Sequence, residues 1–393
     1  MDYTARLTRF QQTLAAQADL AFFPRSADLQ YLTEVGREMP TFGRTRYPGQ
    51  WIEGAWIRPE GEPVFLLTRM TATFHGLDQM PGDLTILADD ADPVERLREV
   101  ARGLPDQPRI AVGETAHAAT LTGLQALLPG AHFLSASALL DRRRKDPDEL
   151  DILRRAGAIT EAAFSAVVPH LRHGMTELDI ISEVDYQLKR HGAAAPSFTT
   201  AMYNAGPGHP LSFGHQEARW DRPLLPPVAL LFDFGAVVEG YCYDFGRTVA
   251  FGEPEGDLPT IHALVMAAQQ AGIAALKSGS TGHAADAAAR AVIEAGGYGA
   301  AFRHRLGHGI GLDVHEPPYL TAGDHTPLAA GMTFTVEPSI MQMAGFSARV
   351  EDVVVVGEAG PIPLTTGYAF LFVVALPAGR GWRAASPWRP AER

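Results

Sequence analysis

The sequence predicts two consecutive units: a small α/β domain over residues 1–145 and a larger α+β domain with hairpins over 146–376, followed by a tail at 377–393. Three observations carry this reading. Short β-leaning runs alternate with amphipathic ones before residue 140, a helix-start signature stands at Asp146, and beyond it helical stretches are separated by β-rich runs interrupted or flanked by Gly and Pro. At roughly 100 to 200 residues per domain, 393 residues allow two or three compact units that build their cores without cross-links.

Composition narrows the class. The chain is 46% hydrophobic and 20% charged, too apolar for a disordered chain and too mixed for a membrane bundle. Lys+Arg 33 against Asp+Glu 45 gives a net charge of -12, which argues against a nucleic-acid partner. The single Cys242 forms no internal disulfide and fits a reducing compartment. Met1 to Phe23 lacks the basic-then-apolar order of a signal peptide, and Tyr368 to Leu376 falls far short of the roughly 20 apolar residues that span a bilayer. The expectation is a cytoplasmic protein with no membrane partner, in which Tyr368 to Leu376 is a buried strand.

Along the first unit, Pro63 to Met70, Leu84 to Ala88 and Arg109 to Gly113 read as strands and Pro93 to Arg102 as a helix. The charge cluster Asp141 to Lys145 precedes Asp146-Pro147-Asp148-Glu149, where an N-cap, proline at the first helical position and a carboxylate at the third open a long helix. Its apolar stripe, Leu150, Leu153, Ala156, Ile159, Ala163 and Val167, recurs at three and four residues. A second helix opens with Thr176 and Asp179 in capping-box spacing and closes at Gly192; two more are expected at Thr260 to Lys277 and His283 to Ala295. Val228 to Val238, Tyr241 to Phe251, Met332 to Glu337 and Ala348 to Val356 read as strands.

Several of these strands contain acids that burial alone would penalise. Asp233 stands inside Val228-Ala-Leu-Leu-Phe-Asp-Phe, where an unpaired carboxylate suffers desolvation or keeps its proton. A hairpin turning at Val237 to Gly240 places Asp233 opposite Asp244, with Cβ atoms about 5 Å apart. Glu337 and Glu351 end or interrupt two further apolar runs, and His308 lies within Gly307-His308-Gly309-Ile310-Gly311. Four carboxylates carry -4, which two divalent cations balance and one does not; a pair of metal ions is the expectation. Solvent-facing hairpin-edge acids are the competing reading for any one position, but not for all together. A phosphate loop at Gly307 to Gly311 fails for want of a GKS/T ending and a nearby lysine.

These residues resemble the pita-bread metallopeptidases, the family of methionine aminopeptidase, aminopeptidase P and prolidase. The ordered motifs are Asp233-Phe-Gly-Ala, Gly240-Tyr-Cys-Tyr-Asp244-Phe-Gly-Arg-Thr, Gly307-His308-Gly309-Ile310-Gly311, His315-Glu316-Pro317, Val336-Glu337-Pro338 and Arg349-Val350-Glu351-Asp352. The likeness spans about Asp141 to Pro363, and Ala27 to Thr33 looks like the amino-terminal domain of the proline-directed branch. It implies a pita-bread catalytic domain behind a creatinase-type α/β domain. It further implies that Asp233 chelates one ion, that His308 and Glu337 hold the other, and that Asp244 and Glu351 bridge them. Glu337 is then the proton-moving group, His215, His304 and His315 match substrate-side histidines, and Arg349 matches an arginine that orients acidic or substrate groups. Cys242 is expected as a small packed residue rather than a ligand.

The implied reaction is hydrolysis of Xaa-Pro peptide bonds, in dipeptides (prolidase) or alternatively in longer peptides (aminopeptidase P), with manganese preferred and cobalt, zinc or iron possible, in a homodimer. Arg44 and Arg46 are candidates for meeting a substrate carboxylate. A creatinase-like hydrolase dispenses with metals, and a non-catalytic binding module of this fold typically loses ligands. Two departures stand out. Met341 occupies the place of a tyrosine common in the branch, and Asp244-Phe-Gly-Arg247-Thr248 lacks one hydroxyl of the usual run.

Overall fold

Four short β-branched or aromatic runs in the first unit are buried because they form the middle of a sheet. The computed structural model describes residues 1–33, 35–37, 49–74, 76–77, 82–88, 90–209, 223–365 and 371–374. Among them a six-stranded sheet runs in the order Asp83–Leu87, Val64–Thr68, Gly54–Ile57, Leu20–Phe23, Arg109–Val112, His132–Ser135. Leu20–Phe23 pairs antiparallel with Gly54–Ile57 and parallel with Arg109–Val112, so this sheet is mixed. One face packs Phe22 on Trp56, ring centroids 4.3 Å apart, with Leu97, Ile110 and Leu124. The other face, Ala21, Phe23, Ile57 and Leu67, joins Phe10 and Leu14 in a cluster that continues into Phe164 and Phe232 of the second unit. The two units therefore share one hydrophobic core across their junction.

The second unit begins as its capping residues dictate. Helix Pro147–Val167 starts behind Asp146, whose N–H donates to Glu149 Oε2 at 2.8 Å, and buries Leu153, Ala156, Ala163 and Val167. Helix Glu177–Arg190 follows the Thr176/Asp179 capping box. These two helices precede a four-stranded sheet ordered Phe372–Val374, Phe245–Phe251, Val228–Phe234, Ala201–Ala205. Two more helices, Leu258–Ala275 and Gly282–Ala295, precede a five-stranded sheet ordered Glu316–Leu320, Gly307–Gly309, Thr333–Val336, Asp352–Val356, Pro361–Pro363. The unit is thus a pair of helix–helix–sheet halves, joined where Gly246 and Glu351 form a bridge through two backbone hydrogen bonds of 2.9 and 3.3 Å. None of the helices among the described residues is long and apolar enough to cross a membrane.

Two expectations are corrected. The hairpin turns at Glu239 and Gly240, both with positive φ (49° and 82°), so Val238 pairs Tyr241 and Asp233 pairs Gly246 instead of Asp244. The register differs from the expected one by two residues, and because side chains alternate with period 2 such a shift keeps each acid on its face. The carboxy-terminal apolar run forms strand Phe372–Val374 at a sheet edge, with Val373 46% exposed, so it is a half-covered edge strand, not a buried one. The tail at 377–393 lies outside the described residues.

Candidate metal centre

Alternation along Val228–Phe234 sends Phe232 and Phe234 into the core shared with the first unit and Ala229 and Leu231 into the core beneath the second helix pair. Asp233 falls on the latter face, at its end. Asp244 stands just before strand Phe245–Phe251, Glu337 just after Thr333–Val336, and Glu351 just before Asp352–Val356, so each of these three acids stands at the end of a buried strand. His308 is the middle of Gly307–Gly309. Its flanking glycines are steric necessities: a Cβ at Gly307 would lie 2.0 Å from Thr335 O, and one at Gly309 would lie 2.5 Å from Glu316 O. Only bare backbone lets this strand come close enough to bring the imidazole to the acids.

The five residues converge around Arg349. Its guanidinium donates to Glu337 Oε2 at 2.7 Å and Glu351 Oε2 at 2.8 Å, and also pairs with Asp233. His308 Nδ1 donates to Gly309 O at 3.0 Å, which leaves the Nε2 lone pair facing Glu337 Oε1 at 3.4 Å and Asp244 Oδ2 at 3.7 Å. Ligating atoms of Asp244, His308 and Glu351 lie within 4.8 Å of one another. Burial pushes the Asp244 carboxyl well above its usual range, reinforced by the charge of Asp233; burial does the same to Glu351 against the opposing charge of Arg349. Asp233 is also raised by burial. Glu337 behaves oppositely: burial pushes it up, but the adjacent positive charge, that of Arg349 foremost, outweighs burial and holds it low. Burial lowers His308 to about 4, so at neutral pH the ring is uncharged and its lone pair is available.

The donor set fits cations. If all four carboxylates ionise they carry -4 against +1 from Arg349 and none from His308, so without further positive charge burial favours protons on Asp244 and Glu351. Buried oxygens Asp244 Oδ1 and Glu351 Oε1 have no hydrogen-bond donor among the described residues. A lone pair of a neutral imidazole aimed at two carboxylates is repulsive unless a cation lies between them. Oxygen-rich ligands with one imidazole suit divalent ions such as manganese, cobalt, iron or zinc.

Of the other predicted residues, His304 and His315 line a cavity of about 580 Å³ that also exposes Glu337, Met341 and Arg349. His304 Nδ1 donates to Arg305 O at 2.8 Å, so Nε2 accepts from the Ser339 hydroxyl at 2.6 Å. The His315 ring stands edge-on to His308, centroids 4.1 Å apart. Met341 contributes no hydroxyl, but the phenol of Tyr203 lines the same cavity. Cys242 is fully buried, with Arg37 Nη2 3.0 Å from its sulfur. His215, Arg44 and Arg46 lie outside the described residues.

Sequence reasoning missed two supporting networks. Arg247 Nη1 donates to Glu351 O at 2.6 Å and Nη2 to Asp352 Oδ1 at 2.6 Å, while Arg349 N–H donates to Thr248 Oγ1 at 2.9 Å; these fix the strand that presents Arg349 and Glu351. Glu316, next to His315, accepts from Lys145 Nζ at 2.7 Å and Arg142 Nη1 at 2.8 Å, and Arg142 also pairs with Asp28 and Asp313. The end of the first unit thereby anchors the loop carrying His315. The available signal was the charge cluster Asp141 to Lys145, which holds one of three lysines in the chain.

Residues 6–145 match the creatinase/prolidase N-terminal domain and residues 151–358 match metallopeptidase family M24. A Xaa-Pro dipeptidase of Lactobacillus delbrueckii subsp. lactis is 36% identical over 353 residues, covering 88% of this chain and 92% of the relative. The prolidase of Thermococcus sibiricus superposes with a TM-score of 0.85 at 26% identity, covering 95% of this chain and 100% of its own. An X-Pro aminopeptidase from Thermotoga maritima gives 0.77 at 26% identity, covering 92% and 100%.

Proposed function

The chain belongs to metallopeptidase family M24, and from that premise we propose that it is a Xaa-Pro dipeptidase acting through two divalent metal ions. The observation that carries the reading is the convergence of Asp233, Asp244, Glu337, Glu351 and His308 beside a dipeptide-sized cavity, with buried carboxylate oxygens that meet no donor among the described residues. Asp233, Asp244, His308, Glu337 and Glu351 would hold the ions. When bound, such ions supply Lewis acidity towards a peptide carbonyl and make water acidic enough to deprotonate near neutral pH. Glu337, kept anionic chiefly by the Arg349 guanidinium, accepts the proton from water and returns it to the leaving imino nitrogen. His315, held neutral by burial at the cavity wall, is placed to donate a hydrogen bond to substrate oxygen, and His304, whose one N–H is taken by Arg305 O, shapes the same wall. Arg349 fixes Glu337 and Glu351 in orientation.

Manganese is the ion we favour for so oxygen-rich a set, and we extend the proposal to a cytoplasmic homodimer with a domain boundary near residue 145. Aminopeptidase action on longer peptides is the second reading, supported by the likeness to the Thermotoga maritima enzyme. The test is hydrolysis of Ala-Pro beside Ala-Pro-Ala with added Mn, Co or Zn. Cleavage of Ala-Pro is expected; cleavage of the tripeptide alone overturns the dipeptidase assignment, and no cleavage of either overturns the peptidase reading.

A further inference from the structure

Three arginines line the cavity beside the acids: Arg303, Arg305 and Arg349. Arg349 is consumed by Asp233, Glu337 and Glu351. Arg303 stands exposed at the rim. Arg305 differs from both: it is half-buried, and no carboxylate of a described residue lies within ion-pairing distance of it. Its guanidinium lies over the Tyr319 ring, 4.6 Å from the centroid. Tyr319 is the cross-strand partner of His308, which places the stacked guanidinium on the same face as the imidazole that faces the acids. Its positive charge also reaches His308 and His315, where it is one of the causes holding both rings below their usual range.

A guanidinium stacked on an aromatic face keeps its N–H groups in a plane parallel to the ring, fixed in direction and open at the edge for a bidentate anion. The anion that a half-buried cation beside a peptide-hydrolysing centre would meet is the substrate's own terminus. A Xaa-Pro dipeptide ends in a carboxylate two bonds beyond the scissile nitrogen, whereas a longer peptide has a neutral amide there. We infer that Arg305, braced by Tyr319, is a specificity-determining residue that receives the free carboxylate of the substrate's proline. This rests on the dipeptidase reading above and deepens it. It assigns selection by length to the loop before strand Gly307–Gly309, not to the first-unit arginines Arg44 and Arg46.

The test compares Ala-Pro with Ala-Pro-amide for the manganese-loaded chain and for Arg305→Gln and Arg305→Lys. The unaltered chain should prefer the acid by at least about tenfold in kcat/KM, the size of one charge-assisted contact. Arg305→Gln should lose most of that preference through a raised KM for Ala-Pro, with kcat/KM for the amide within about threefold of the parent, and Arg305→Lys should recover part of it. Retention of the full preference in Arg305→Gln, or absence of any preference in the unaltered chain, overturns the assignment while leaving the peptidase reading intact. Failure of the unaltered chain to cleave either compound sinks the functional reading itself, and this assignment with it. Should Arg305→Gln not fold, the acid-to-amide comparison on the unaltered chain, together with Arg305→Lys, still decides.

Discussion

Lys145→Met removes a cation from a pocket that keeps its anion. The ammonium, 3% exposed, donates to Glu316 Oε2 at 2.7 Å and to Arg142 O at 2.9 Å, and the Glu316 side chain is 4% exposed. Methionine fills a similar volume, so the loss is electrostatic rather than a cavity. Breaking a buried pair costs ~3–5 kcal/mol. Arg142 Nη1 at 2.8 Å and the Asp313 N–H at 3.1 Å still reach Glu316, which puts the expected loss near the lower end, about 3 kcal/mol at pH 7. The pH dependence follows from the same contacts. Burial raises the Glu316 carboxyl, but Lys145 first and then Arg142 outweigh it, so its folded pKa lies below the unfolded value. A depressed carboxyl contributes stability that is present above the unfolded pKa and is lost as pH falls through the folded one. The variant lacks most of that contribution, so the gap between variant and parent should be largest at neutral pH and narrow as pH drops below about 4.5, the ordinary glutamate value. Urea unfolding of both chains between pH 7 and pH 4 measures it. The double substitution Lys145→Met, Glu316→Gln should recover much of the loss. A gap under about 1 kcal/mol at pH 7, or one that widens towards acid, would refute the argument.

Four further outcomes are expected. Glu351→Gln should lower the bound metal, read by elemental analysis after dialysis, because Glu351 is fully buried beside Asp244 and His308 and is proposed as a ligand; unchanged metal content would remove it from the ligand set. Gly307→Ala should destabilise by about 3 kcal/mol or more in a thermal-unfolding comparison, since its Cβ would lie 2.0 Å from a backbone oxygen of the neighbouring strand, and a shift of the midpoint under one degree contradicts the packing argument. Chelation by EDTA should lower the unfolding midpoint, metal at 1,000 times its dissociation constant being worth about 4 kcal/mol, with recovery on adding manganese. Arg247→Met should destabilise and reduce activity together, because the guanidinium holds both Glu351 O and the Asp352 carboxylate, 14% exposed; full activity would show that the strand needs no such brace.

Most of the helices were legible because their starts are written in local chemistry. Asp146-Pro147 with Glu149, and Thr176 with Asp179, act within one turn, and the structure places the helix starts there. The candidate site was legible for a different reason: acids in buried β runs are costly, so each marks a place where something compensates it. Geometry between distant segments was not. The turn at Glu239 depends on a non-glycine residue with positive φ, which its sequence does not announce, and the register moved by two residues accordingly. Nor could the sequence tell that Arg349 would reach three acids at once, or that Lys145 and Glu316, 171 positions apart, would meet. The edge position of Phe372–Val374 likewise depends on what pairs with its other side, which an apolar run does not specify.

Anomalous scattering from manganese-soaked crystals tests the central claim most directly. Two peaks about 3.5 to 4 Å apart are expected, one touching Asp233, the other His308 and Glu337, with Asp244 and Glu351 reaching both. A cluster that stays without metal at millimolar manganese, or ions bound only elsewhere on the chain, would contradict the account.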